Sequence, residues 1–164
     1  MKPHFSARRL LLPLAPAYRL ALALRALRLR WGMEPVRRLR WPVVSVGNLS
    51  TGGSGKTPLT IALAKALRQR GFCVDVLSRG YGRQSQLAAR VRLDGTAEEF
   101  GDEPLLIARE AGVPVYVARQ RFEAGLLAEA EAPSNASVVH LLDDGFQHRQ
   151  LARAASILLV SRQD

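Results

Sequence analysis

The stretch Val43-Val-Ser-Val46, Gly47-Asn-Leu-Ser50-Thr-Gly-Gly-Ser-Gly-Lys-Thr57, Pro58-Leu-Thr-Ile-Ala-Leu-Ala-Lys65 decides the fold. A short β-branched run, a Gly/Ser/Thr loop and a helical period follow one another without a break. The loop matches the phosphate-binding consensus G-x-x-x-x-G-K-[ST] at Gly55, Lys56 and Thr57, with Ser50 in place of the first glycine. Thr51, Gly52, Gly53 and Ser54 complete it, and the two inner glycines let consecutive N–H groups turn inward onto phosphate oxygens. The helix beyond adds its positive dipole end. In such a loop Lys56 reaches the β- and γ-phosphates of a nucleotide and the Thr57 hydroxyl ligates Mg²⁺. A Gly-rich turn that merely precedes a helix is the competing reading, but strand, GGSGKT and helix in that order favour nucleotide.

Outward from this loop, strands and helices alternate. Leu59, Leu63, Ala66 and Leu67 give the helix Pro58–Arg70 its apolar stripe, and Gly71 is placed to end it. Strands are expected at Cys73–Leu77, Val113–Ala118, Ser137–Leu142 and Ala155–Val160, with a short one at Val91–Leu93. Helices are expected at Asp102–Ala111 and Gln120–Glu131, and Cys73 reads as a core residue. The pattern predicts an α/β fold of the P-loop NTPase kind, a parallel sheet with helices on both faces.

Composition narrows the function. The chain has 164 residues, one cysteine and a formal net charge of +10, so neither a disulfide framework nor a Cys-rich zinc site is available. The charge is unevenly placed. Residues 1–41 hold 10 Lys/Arg and one acid, Glu34, whereas 42–164 hold 14 Lys/Arg and 13 Asp/Glu. The basicity therefore belongs to an N-terminal arm, 1–41, on a nearly neutral domain, 42–164. Within the arm the longest uncharged run, Leu10–Tyr18, contains Pro13 and Pro16, and Arg19, Arg25, Arg28 and Arg30 follow. That is far short of the roughly 20 apolar residues a membrane span needs. Prolines and Arg19 also interrupt any secretory signal. The segment after Pro16 reads as a basic amphipathic helix, with Tyr18 and Trp31 near its ends, suited to the headgroup region of an anionic membrane. A helix packing its leucines on the domain is the alternative. No nucleic-acid recognition motif is present, so no specific nucleic-acid partner is expected.

Three acidic features remain. Asp143 and Asp144 end an apolar strand, where a P-loop protein places the carboxylate that holds its metal, although Asp-Gly is also an ordinary turn. Asp102 and Glu103 open a helix, where the dipole alone favours acids. His148, four residues after Asp144, is open between a surface and a site role.

Taken in order, Val44–Pro58, Leu77-Ser-Arg-Gly-Tyr-Gly82, Gly101-Asp-Glu-Pro104 and Asp143-Asp-Gly-Phe-Gln-His148 resemble the tetraacyldisaccharide 4'-kinases, the lipid A 4'-kinases of Gram-negative bacteria. The resemblance covers residues 44–148, and the basic arm is similar to the family's membrane-associating helix. It implies transfer of the ATP γ-phosphate to the 4'-hydroxyl of a tetraacyldisaccharide 1-phosphate, a lipid A precursor, at the cytoplasmic face of the inner membrane. Carried over, Ser50–Thr57 bind ATP, Asp102 is the general base, and Glu103, Asp143 and Asp144 arrange Mg²⁺ with Thr57. His148 lines the site. Arg79 and Arg83 either bind a substrate phosphate or belong to a solvated loop. Residues 1–31 would meet the anionic membrane.

The family is about twice as long, and it commonly has an aspartate near the position of Ala154. The chain thus corresponds to the family's N-terminal half, its kinase domain cut short on the C-terminal side. Two other readings stand beside this one. A partitioning-type ATPase has a lysine where this loop has Thr51, and a truncated ATP- or membrane-binding module would bind nucleotide without turnover.

Overall fold

The computed structural model describes residues 36–48, 55–133, 136–143 and 150–160. The basic helix expected before Trp31 lies outside these residues. Six strands form one sheet: β1 (Val43–Asn48), β2 (Cys73–Ser78), β3 (Ala89–Arg90), β4 (Val115–Val117), β5 (Val138–Asp143) and β6 (Ala155–Leu159), in the order β3-β4-β2-β5-β1-β6. Every pairing is parallel except β3 with β4. Among the described residues four helices accompany them: α1 (Lys56–Gln69), α2 (Ala97–Phe100), α3 (Asp102–Ala111) and α4 (Arg121–Glu131).

The sheet is apolar on both sides because alternate residues of one strand feed opposite cores. Val76 of β2 and Leu141 of β5 pack with Ala64 of α1 and Leu105 and Ile107 of α3. Their neighbours Leu77 and Leu142 face the other way, against Ala124 and Ala128 of α4. Each such leucine, fully buried, contributes about 1.5–3 kcal/mol. Helices thus cover both faces, as the alternating pattern predicts.

Several boundaries differ from expectation for local reasons. β1 runs on through Gly47 and Asn48, because β6 supplies partners Leu158 and Leu159 there. α1 starts at Lys56, and Pro58, in its first turn, needs no intrahelical donor. The short strand lies at Ala89–Arg90 and not at Val91–Leu93, and it closes the sheet as an antiparallel edge. α2 was not legible as a separate helix, although Thr96 and Glu99 form a reciprocal capping box at its start. Cys73 is exposed, not core: it is the first residue of β2, beyond the cover of the helices.

One buried polar cluster interrupts the α4 face. His140 Nδ1 lies 2.8 and 3.0 Å from the two oxygens of Asp75 on the neighbouring strand. His140 Nε2 faces Glu129 Oε1 of α4 at 3.6 Å. The same Glu129 carboxylate accepts from the backbone N–H groups of Arg40 and Trp41, fixing the chain as it enters β1. Burial pushes the Asp75 carboxyl above its ordinary value, opposed by the His140 hydrogen bond.

Candidate functional site

The parallel strands end together, and the loops leaving their C-terminal ends build a cleft of about 390 Å³. This is where open α/β sheets bind ligands. Lys56 enters it from the first turn of α1, preceded by Gly55 in a left-handed conformation, φ 74°. Asp143 comes from the last position of β5 and is only 3% exposed. Ser78 ends β2, and Arg79 and Tyr81 follow it. Asp102, Glu103 and Pro104 are the first turn of α3, and Arg121 is the first residue of α4.

The acidic turn is held in place by glycine packing. Gly101 has φ 89° and ψ 150°, and a Cβ there would sit 3.0 Å from the Tyr81 carbonyl oxygen and 3.2 Å from Gly80 Cα. Gly80 is locked in return, its missing Cβ falling 2.9 Å from the Phe100 carbonyl oxygen. The Ser78–Arg83 loop and the Gly101–Pro104 turn therefore touch backbone to backbone. That contact sets Asp102 and Glu103 beside Arg79 and Tyr81.

The cleft joins Lys56, Arg79 and Arg121 with Asp102, Glu103 and Asp143. A wall of mixed sign suits a polyanion accompanied by a cation, the cations facing phosphate and the carboxylates facing metal. Thr60 Oγ1 of α1 lies 3.5 Å from Asp143 Oδ1, and both residues are buried. Among the described residues no three His, Cys, Asp or Glu side chains form a metal cage by themselves.

A second recess of about 300 Å³ continues from the first through Arg79 and Tyr81, and adds Arg83, Ser85, Gln86 and Arg119. Among the described residues its lining has three guanidinium groups and no carboxylate. Arg83 Nη2 donates to the Leu87 carbonyl at 2.8 Å, while Nη1 is buried with no hydrogen-bond partner among the described residues. Burial lowers the Arg83 pKa from its ordinary value.

Of the residues singled out from sequence, Lys56, Arg79, Asp102, Glu103 and Asp143 meet at one cleft. Thr57 is half-buried and does not line it. Ser50, Thr51, Gly52, Gly53, Ser54, Asp144 and His148 lie outside the described residues. Sequence reading missed Thr60, Arg119 and Arg121. The two arginines had a usable signal, since they directly follow an apolar strand at its C-terminal end. Thr60 had none, being one more small residue on a helix.

The family model described as tetraacyldisaccharide-1-P 4'-kinase matches residues 7–164. The chain belongs to the tetraacyldisaccharide-1-P 4'-kinase family. Among curated 4'-kinases of this name, that of Koribacter versatilis is 52% identical over 135 residues, covering 78% of this chain and 41% of the relative. That of Herminiimonas arsenicoxydans is 47% identical over 151 residues, 92% of this chain and 42% of the relative. The chain therefore spans about half the length of the relatives it matches. A crystal structure of LpxK from Aquifex aeolicus in complex with ATP superposes with a TM-score of 0.83 at 40% identity, covering 97% of this chain and 50% of that one. The fold described above is thus the fold of a 4'-kinase.

Proposed function

We propose that this chain carries the ATP-binding and phosphoryl-transfer surface of a tetraacyldisaccharide 4'-kinase, acting on the 4'-hydroxyl of a tetraacyldisaccharide 1-phosphate in lipid A synthesis. The observation that carries this reading is the convergence of Lys56, Asp102, Glu103 and Asp143 on one cleft at the carboxyl edge of the sheet. Ser50–Thr57 would cradle the ATP phosphates, with Lys56 on the β- and γ-oxygens. Mg²⁺, held by Asp143 with Thr57, Glu103 and Asp144, would neutralise charge on the transferring group. Asp102 would accept the proton of the acceptor hydroxyl as it attacks phosphorus. His148 would line the same site.

The basic recess gives the acceptor's own phosphate a place. Arg79, Arg83 and Arg119 present guanidinium donors with no competing acid, which matches a sugar 1-phosphate one recess away from the transfer site. A lipid acceptor also accounts for the arm: residues 1–31 would lie in the headgroup region at the cytoplasmic face of the inner membrane, as a peripheral anchor. No helix among the described residues is long and apolar enough to cross a membrane.

The test has two stages. ATP binding to this chain is measured first, and Lys56→Ala should weaken it by roughly 10–100-fold, the worth of lost charge-assisted hydrogen bonds. Label transfer from γ-³²P-ATP to tetraacyldisaccharide 1-phosphate follows. Absence of ATP binding by the wild type would overturn the reading, and transfer that survives Asp102→Ala would remove Asp102 as the base. Binding without transfer would leave an ATP-binding module and assign turnover to the part of the family's length this chain does not span.

A further inference from the structure

We propose that Thr60 is a positioning residue that orients the Asp143 carboxylate for the metal, an inference that rests on reading Asp143 as a metal-holding group. Thr60 lies one helical turn beyond Lys56 on α1 and is 0% exposed. A hydroxyl taken out of water without a partner costs about 1–3 kcal/mol, so a buried threonine must find an acceptor. In a helix interior the usual acceptor is the carbonyl four residues back. Here the hydroxyl also reaches Asp143 Oδ1 on β5, 83 residues away in sequence.

The geometry has a consequence for metal binding. A proton donated to Oδ1 limits rotation of the carboxylate and leaves Oδ2 and its lone pairs unengaged by Thr60. Mg²⁺ demands near-ideal octahedral geometry at about 2.0–2.1 Å, so a carboxylate that swings freely binds it poorly. The contact also ties two parts of the site together. α1 bears Lys56, and β5 bears Asp143, so one hydroxyl helps to set the spacing between the phosphate-facing cation and the metal-facing anion. At 3.5 Å the contact is longer than the usual O–H···O range of about 2.5–3.0 Å, so it adds little to the stability of the fold.

Thr60→Val keeps the shape and removes the donor, and Thr60→Ser keeps the donor and removes the methyl. ATP affinity of this chain is measured by calorimetry with excess EDTA and with Mg²⁺, alongside thermal melting. Thr60→Val should lose roughly tenfold of the Mg²⁺-dependent gain in affinity, the usual scale for a partner that orients a metal ligand. Its metal-free affinity should stay with the wild type, and Thr60→Ser should restore the Mg²⁺ response. An unchanged Mg²⁺ response in Thr60→Val overturns the inference, as does an equal loss with and without metal, which would make Thr60 a packing residue. If Thr60→Val does not fold, Thr60→Ala reports the same loss. Asp143→Asn separates the two levels: if it leaves the Mg²⁺ response intact, the metal role of Asp143 fails first, and Thr60 with it.

Discussion

Gly101→Ala should do more damage than its single methyl suggests. The backbone there, φ 89° with ψ 150°, is a region only glycine occupies readily, and forcing another residue into it costs of order 1–3 kcal/mol. The new Cβ would also meet the Tyr81 carbonyl oxygen at 3.0 Å and Gly80 at 3.2 Å, both backbone, which cannot rotate away as a side chain would. Together these predict a loss of about 3 kcal/mol. By the scaling for domains of this size, that lowers the melting temperature by roughly 10 °C. Gly82→Ala is the control. Gly82 has φ 82° but open space around its missing Cβ, so it bears the conformational cost without the clash, about 1 kcal/mol. Both variants are assayed by urea unfolding and by ATP affinity. Gly101→Ala should also weaken Mg²⁺-dependent ATP binding, because any relief of the clash moves Asp102 and Glu103 away from Arg79. Equal losses in the two variants would refute the claim that backbone contact between the two loops places the acidic turn.

Three further outcomes follow from the buried pair and the basic recess. Asp75→Ala leaves His140 Nδ1 buried without its partner and should cost about 1–3 kcal/mol in urea unfolding. Asp75→Asn addresses pH: because burial raises the Asp75 pKa, the folded state holds its proton more tightly than the unfolded chain. This group's contribution is therefore greatest below its unfolded value of 3.8 and declines as pH rises through the folded pKa, a decline that stability measured against pH should show in the wild type and not in Asp75→Asn. In the basic recess, Arg83→Met should weaken binding of a soluble disaccharide 1-phosphate by roughly tenfold or more while sparing ATP, read by calorimetry with each ligand.

Much of this site was legible because its parts are local. The run from Val43 to Thr57 predicts a strand, a phosphate loop and a helix within a few turns of chain; the strand and the helix stand as expected, and Ser50–Ser54 of the loop lie outside the described residues. Asp143 was legible for a related reason, as an acid that ends an apolar strand. Asp102 and Glu103 were ambiguous alone, since a helix start favours acids without any chemistry. The packing of the preceding Gly101 against Gly80 and Tyr81 brings them into the cleft. Thr60 could not be read at all, because what singles it out is a neighbour far away in sequence. Cys73 was misjudged for the opposite reason: membership of a strand says nothing about whether a helix covers its end.

By itself the sequence determined the alternation of strands and helices, the phosphate loop and the uneven charge of the arm, because each depends on neighbours a few residues apart. The tertiary structure alone decided the strand order β3-β4-β2-β5-β1-β6, which inserts β5 between β1 and β2 and so brings Asp143 alongside the helix that carries Lys56 and Thr60. It also decided that the Ser78–Arg83 loop meets Gly101, and that Asp75 and His140 share a buried pair across adjacent strands. Strand order and loop contact are fixed by burying apolar faces on both sides of one sheet, a balance summed over the whole chain that no short window contains.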